Sequence, residues 1–238
     1  MRGSTDCYGS ALAVAAHAGN DGIVRCLLGN GANINCLGAS YGSPLCLLAF
    51  NGELDTLRLA YEQYHAHPQF VDSHGRTPLH FAARGGWAET FRYLVSLGLD
   101  PMAKDAIGNS VLHYAASGGS LKVLNMAIDQ HLTSSPQDGH WTPLHWACRS
   151  GNREVVERLI SAGFRGESII TSQLEREWTP YSIAVAHGHK TMLEELPNSS
   201  RALLGSRADS DAMDVLHQHV NNSTRYYCDG CHHVSTDY

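Results

Sequence analysis

The sequence predicts an all-α fold, a solenoid of about six helix–turn–helix repeats with short β-turn fingers between them. Three observations support this prediction. The segment GRTPLHFAARGG at 75–86 recurs as SVLHYAASGG at 110–119 and as TPLHWACRSG at 142–151. The Thr or Ser that opens each repeat stands at positions 10, 43, 77, 110, 142 and 179, at intervals of 33, 34, 33, 32 and 37 residues. Apolar residues then recur at helical spacing after most copies, so one repeat holds two short helices.

The segment 75–86 shows how the first helix of a repeat begins and ends. Thr77 can accept a hydrogen bond from a free backbone N–H at the helix start, and Pro78 suits the next position because it lacks an N–H. Leu79 begins the apolar side of the helix. The glycines at 85 and 86 allow the left-handed backbone conformation that ends many helices.

We expect the repeat array to occupy residues 1–196 and a polar linker and tail to occupy 197–238. Each predicted helix has about 8–11 residues, too few for stability alone, so the repeats must stack on their neighbours. A longer loop at 164–177 accounts for the interval of 37 residues before the last repeat. The repeats fall near residues 8–40, 41–74, 75–107, 108–138, 139–172 and 177–196.

The repeated motif resembles the T-P-L-H-x-A signature of ankyrin repeats, which has a period of about 33 residues. This resemblance implies that each motif His forms a structural hydrogen bond to the capping Thr or Ser and to nearby backbone. The motif residues are Thr77, Pro78, Leu79 and His80; Ser110, Leu112 and His113; and Thr142, Pro143, Leu144 and His145. The openings Tyr8-Gly9 and Tyr41-Gly42 are similar to those of tandem ankyrin arrays in fungal multidomain signalling proteins.

Ankyrin relatives contact their partners with the finger tips and the exposed side of the first helix, which implies the same surface here. The resemblance therefore predicts a non-enzymatic scaffold or adaptor that binds a protein partner of unknown identity. The matching positions include His74, Arg76, Ile107, Asn109, His140 and Trp141 on the fingers, and Arg84 and Arg149 on the first helices. Phe81, Tyr114 and Trp146 share one position in their repeats, and we interpret them as core residues first, with partner contact second.

Composition excludes several other classes of function. The net charge is −6, only three residues are Lys and no basic run occurs, so we predict no nucleic-acid binding. No apolar run approaches the roughly 18–20 residues that span a bilayer, so we predict no membrane segment.

Seven Cys, an odd number, indicate reduced thiols and a cytoplasmic or nuclear protein. We expect a monomer. No Ser-His-Asp set, P-loop or Gly-x-Gly-x-x-Gly turn appears, so we predict no enzyme and no cofactor for the array.

The tail carries a second, separate signal at Cys228-Asp-Gly-Cys231, a spacing that lets two thiolates bind one Zn²⁺. The pair resembles the opening of a ZZ-type zinc finger, which would need further ligands. Three interpretations stay open: an unliganded tail, the start of a finger completed in a longer parent chain, and a self-contained site. His217, His219, His232 and His233 could complete the last of these. The chain begins inside a repeat and stops inside this motif, so we expect it to be incomplete at both ends.

The alternative function is accordingly a zinc-binding adaptor whose tail recognises a peptide or a ubiquitin-like partner.

Overall fold

The computed structural model describes residues 11–36, 43–67, 69–130, 141–166, 169–171 and 176–205. Within these ranges the chain forms six pairs of short helices, each pair made of a first and a second helix. The first helices are α1 (Ala11–His17), α3 (Pro44–Asn51), α5 (Pro78–Gly85), α7 (Val111–Gly118), α9 (Pro143–Ser150) and α11 (Pro180–Ala186). The second helices are α2 (Asp21–Gly29), α4 (Leu54–Gln63), α6 (Ala88–Ser96), α8 (Leu121–Gln130), α10 (Arg153–Ser161) and α12 (Lys190–Glu195). The predicted all-α solenoid of helix pairs is confirmed.

The first helices form the closely packed layer of the solenoid. Each first helix packs against the first helix of the next repeat, from α1 through to α11, and contacts between successive second helices are sparser. One buried Leu from each of repeats two to five, at positions 45, 79, 112 and 144, lies in the same continuous core. Since no single helix is long enough to be stable alone, this shared core holds the array together.

Glycines at the last position of two first helices allow this close approach. A Cβ atom at Gly85 would clash with the carbonyl oxygen of Phe50 on α3, and one at Gly118 would clash with that of Arg84 on α5. The equivalent residue of α9 is Ser150, whose hydroxyl lies 3.1 Å from the Ala147 carbonyl oxygen and donates to it. At Gly85 and Gly118, the absence of a side chain lets the neighbouring first helix approach closely.

The structure corrects two expectations about the loop and the tail. The segment expected to be a loop at 164–177 contains an antiparallel pair of strands, β1 (Ile169–Thr171) and β2 (Arg176–Trp178), with Ile169 opposite Trp178. The segment expected to be a linker from 197 onwards begins with a short helix, α13 (Asn198–Ala202), followed by Leu204, which is fully buried. Backbone hydrogen bonds join Gly166 N–H to the Leu203 carbonyl and Tyr181 N–H to the Leu204 carbonyl, so residues 197–205 belong to the array.

Candidate functional site

The repeated histidines close the N-terminus of their helices. In repeat three the backbone N–H of Thr77 donates to Nδ1 of His80, at 3.1 Å, and the Thr77 hydroxyl lies 2.9 Å from the same nitrogen. Repeat five repeats the arrangement between Thr142 and His145, at 3.2 and 2.8 Å. Repeat four has the same pattern between Ser110 and His113. Because Nδ1 accepts from a backbone N–H, it carries no proton, and the neutral ring has its proton on Nε2.

In repeats four and five, that second nitrogen joins the repeat to the next. Nε2 of His113 lies 2.9 Å from the carbonyl oxygen of Trp141, and Nε2 of His145 lies 3.2 Å from that of Trp178. Trp141 and Trp178 each precede the residue that caps the following first helix. The Nε2 atom of His80 is buried without such a hydrogen bond. His113 and His145 therefore act as structural links between neighbouring repeats.

Burial keeps two of these rings neutral. Removal from water lowers the pKa of His80 and of His145 to about 4 in each case. Both rings are therefore uncharged at neutral pH, and their nitrogens are engaged in the fold or buried. These two rings are buried and lack the access to a substrate that acid–base chemistry would require.

A groove crosses the exposed side of the first helices, which we call the first-helix face. The groove spans the first four repeats, is partly open to solvent and has room for little more than one water molecule between its walls. Its lining consists of His17, Leu47, Phe50, Arg76, Phe81, Arg84 and Tyr114. Most of these side chains are apolar or aromatic, and the guanidinium groups of Arg76 and Arg84 lie among them.

Arg76 is fixed in this groove by the finger from which it comes. Its guanidinium forms an ion pair with Asp72, with Nη2 2.7 Å from Oδ2, and only 11% of the Arg76 side chain is exposed. The same group lies 4.7 Å from the ring centroid of Phe81. Burial alone would lower the pKa of Arg76, but the hydrogen bond and the charge of Asp72 raise it. Arg76 was expected to be an exposed contact, and it instead connects the finger with the groove wall.

The next finger uses the equivalent residues differently, and here an expectation is wrong. Asn109 was expected at an exposed finger position, but it is buried, with 3% exposure. Its backbone N–H and side-chain amide donate to the two carboxylate oxygens of Asp105, at 2.8 and 3.0 Å. The Tyr114 hydroxyl also donates to Asp105, at 2.8 Å. Asp105 therefore organises the finger from inside, and Asn109 is buried against it.

The remaining positions expected on the fingers differ in their exposure. His74 and Ile107 are at the solvent-exposed turns, and Ile107 has 44% of its surface exposed. Trp141 is partly buried, with its ring 6.1 Å from that of His145. His140 lies outside the described residues. On the first helices, Arg84 and Arg149 are both partly exposed, and they face the same side because they hold the same place in repeats three and five.

Sequence reasoning missed the two finger aspartates as site residues. Asp72 and Asp105 are both buried and fix the geometry beneath the groove. The signal was present in the sequence, because Asp-x-x-Gly occurs at 72–75 and again at 105–108. That pattern predicts a turn, but it does not show that the carboxylates also bind Arg76 and Tyr114.

The described part of the chain offers no candidate metal site. Across those ranges, no group of three or more His, Cys, Asp or Glu side chains is placed to hold a metal ion. Cys228 and Cys231, which carried the zinc prediction, lie outside the described residues. The helices in the described ranges include none with the length and hydropathy to cross a membrane.

The fold and the groove together define a helical repeat protein whose candidate site is an extended surface. Comparison with known families agrees with this class: the family model described as ankyrin repeats, in three copies, matches residues 12–105 and 97–169. These ranges cover more than half of the 238 residues, and the chain belongs to the ankyrin repeat family. Ankyrin repeats are non-catalytic modules that generally mediate protein–protein interactions.

Proposed function

We propose that this chain is a non-enzymatic scaffold or adaptor that binds a protein partner through its first-helix face and finger tips. The observation that carries the proposal is the groove, in which Phe50 and Arg84 are partly exposed beside the buried ring of Phe81. Aromatic and Arg side chains are over-represented among residues that dominate binding energy at protein interfaces. A surface of this composition suits contact with the side chains of a partner.

The way in which the groove is built also favours recognition. Two of its wall helices, α5 and α7, have N-termini closed by side chains, and Asp72 fixes the position of Arg76. A surface that is already ordered before binding loses little conformational entropy when a partner docks. The contacts made by the first-helix face therefore contribute to binding affinity with little loss to ordering.

Site-specific photo-crosslinking tests this proposal. A photoreactive amino acid replaces Ser117, which is partly exposed on α7, and in a second protein it replaces Glu154, which is exposed on α10. We expect a discrete protein adduct from position 117, none from position 154, and loss of the first adduct when Phe50→Asp is added. Equal labelling from the two positions, or an adduct that survives Phe50→Asp, would contradict recognition by the first-helix face.

A second proposal concerns the tail, since Cys228 and Cys231 have the spacing of a zinc-binding pair. In this alternative the tail is a zinc-dependent adaptor that recognises a peptide or a ubiquitin-like partner. Metal analysis of the purified full chain, compared with Cys228→Ser, tests the site directly, and zinc well below one equivalent would rule out a self-contained site. Removing residues 206–238 separates the two functions, and the cut follows Gly205 because Leu204 is buried in the array.

We also propose that the protein acts as a monomer in the cytoplasm or nucleus. The cysteines at positions 26, 46 and 148 are free thiols, as expected in a reducing compartment. Gel filtration with light scattering and imaging of a tagged chain test the two statements. The similarity to fungal arrays stays a prediction, because residues 8–9 and 41–42 lie outside the described ranges.

A further inference from the structure

We propose that the side of repeat one that faces away from repeat two is a second interaction surface, which accepts the last helix pair of another helical-repeat protein. This surface is separate from the first-helix face, so the inference goes beyond the function proposed above. It follows from comparing positions of repeat one with the equivalent positions of repeats two to six, where the preceding repeat covers them.

The clearest difference is at Ile23 on α2, which has 50% of its surface exposed. The residues that hold this position in the other repeats are at most 6% exposed, and they are Thr56, Thr90, Val123, Val155 and Met192. The Thr56 hydroxyl donates to a carboxylate oxygen of Asp21, on α2 of the preceding repeat. The position therefore faces the preceding repeat, and Ile23 presents to solvent a side that the other repeats bury.

Val14 on α1 shows the same difference, with 39% of its surface exposed. Its equivalents are at most 5% exposed, and they are Leu47, Phe81, Tyr114, Trp146 and Ile183. The ring of Trp146 lies 5.4 Å from that of Tyr114 in the preceding repeat, so this position also faces that repeat. Leu27, one turn after Ile23, is partly exposed, whereas its equivalent Leu159 is fully buried.

Asn20 adds a hydrogen-bond donor on the same side. Its side-chain oxygen accepts the N–H of Ile23, at 3.2 Å, and so caps α2. Asn152 holds the same position in repeat five and caps α10 in the same way, through the N–H of Val155 at 3.1 Å. The amide group of Asn152 also donates to the carbonyl oxygen of Gly119 in the preceding repeat, at 3.3 Å. Because the two caps match, the exposed Asn20 has its amide where a preceding repeat would accept from it.

Two other repeats use this position for the same link. Nε1 of Trp87 donates to the carbonyl oxygen of Phe50 at 2.8 Å, and Nε2 of His189 lies 2.9 Å from that of Arg149. Both carbonyls belong to the last turn of the preceding first helix. The Asn20 amide therefore matches the end of a helix placed beside α1. We call this surface the open edge, and it consists of Val14, Asn20, Ile23 and Leu27.

The internal repeats also define what covers such an edge. Each is covered by the helix pair of the repeat before it, and one such pair, Pro78–Ser96, takes 19 residues. Residues 1–10 are too few to supply a pair. A second copy of the chain has residues 197–205 already packed on its own repeat six, with Leu204 fully buried. The occupant is therefore the last helix pair of another protein, with an apolar outer side and an accessible carbonyl at the end of its first helix.

A copy of repeat three placed before repeat one tests whether the open edge accepts a helix pair. Residues 75–109 are fused directly to Ser10, which keeps the spacing that joins repeats three and four, and a chain that begins at Ser10 is the reference. We expect the fusion to unfold in a single transition at a higher urea concentration than the reference. Asn20→Asp keeps the capping oxygen but removes the amide donor, and it should reduce this gain, as should Ile23→Asp.

Val71→Asp is the matched control, because Val71 is 49% exposed on a finger and should leave the gain unchanged. Each variant is compared in the fusion and in the reference chain, so that any effect on the array itself cancels. A fused copy that leaves the midpoint unmoved, or a gain that neither edge substitution reduces, would overturn the open edge as a docking surface.

Photo-crosslinking of the full chain in cells identifies the occupant. The photoreactive residue replaces Ala18, which is exposed and equivalent to Asn51, whose amide donates to the Ala16 carbonyl of the preceding repeat. Mass spectrometry should place the adduct in the last helix pair of another helical-repeat protein. Ile23→Asp should reduce its yield about tenfold or more, and Phe50→Asp should not, which separates this surface from the first-helix face. An adduct within the same chain, with a second tagged copy or with a non-helical segment would overturn the inference, as would no adduct.

Discussion

Nε2 of His145, in repeat five, lies 3.2 Å from the backbone carbonyl oxygen of Trp178, which precedes repeat six. The other ring nitrogen accepts the backbone N–H of Thr142 within repeat five. One neutral imidazole thus closes the start of its own helix and also holds the next repeat in register. In an array that is stabilised by contacts between neighbours, such a side chain supports the helix start and the repeat interface together.

Replacing His145 by Ala should therefore destabilise the protein strongly. The substitution leaves the buried Thr142 N–H and the Trp178 carbonyl without their partner, and it creates a small cavity. We expect a loss of about 2–4 kcal/mol in the free energy of unfolding, measured by urea denaturation. His74→Ala, at an exposed finger turn, is the control and should change it by less than about 0.5 kcal/mol. Equal effects of the two substitutions would exclude the linking role.

Stability should also fall when the pH is lowered from 7 to 5. Burial lowers the pKa of His80 and His145 to about 4, whereas an unfolded His has a pKa near 6.5. Between these values the unfolded chain binds protons that the folded chain does not, so the unfolding free energy decreases as the pH falls. Each ring can contribute at most about 1.4 kcal/mol per pH unit.

Urea midpoints at pH 7, 6 and 5 measure this dependence, in a range above the ordinary pKa of Asp and Glu. His145→Gln keeps a polar side chain without a titrating group and should give a shallower decline. A wild-type midpoint that stays constant over this range would show that the two rings remain accessible to protons.

The sequence anticipated the repeated part of this architecture better than the contacts between repeats. The repeated letters that contain Thr77 and His80 predict a helix cap, since capping depends on residues three positions apart. The different behaviour of Arg76 and Asn109 could not be predicted, although they hold the same position. The outcome depends on side-chain length and on whether Tyr114 competes for the finger carboxylate. These contacts join residues only four or nine positions apart, but the choice between them depends on three-dimensional geometry that the repeat pattern does not specify.

The end of the array was unpredictable for a related reason. Residues 197–205 contain few apolar side chains, and Leu204 gives no periodic pattern by itself. Its burial depends on Gly166 and Tyr181, which lie more than twenty residues earlier and supply the backbone partners. A polar segment can therefore belong to a folded unit when its few apolar residues meet a site already formed.

The shared core predicts the effect of a single large-to-small substitution. Leu112 is fully buried between neighbouring first helices, so Leu112→Ala should lower the free energy of unfolding by about 2–5 kcal/mol. Ile107→Ala, on the exposed finger of the same repeat, should have an effect below about 0.5 kcal/mol. Urea denaturation followed by circular dichroism compares the two, and an unmoved midpoint for Leu112→Ala would contradict stabilisation by stacking.

The close approach of the first helices predicts that Gly118→Ala destabilises the protein, which is the opposite of what helix propensity alone predicts. Gly118→Ala should favour α7 by up to about 1 kcal/mol on propensity alone, because Gly is a poor helix former. In the structure, however, the new methyl group would clash with the Arg84 carbonyl oxygen and would lie 2.8 Å from that of Ala83. We therefore expect a net destabilisation of about 1–3 kcal/mol, as for overpacked cores. Gly29→Ala in α2 is the control, since its nearest neighbour would be the Tyr64 hydroxyl at 3.9 Å. If both substitutions stabilise the protein in urea, the first helices do not need glycine at their contact.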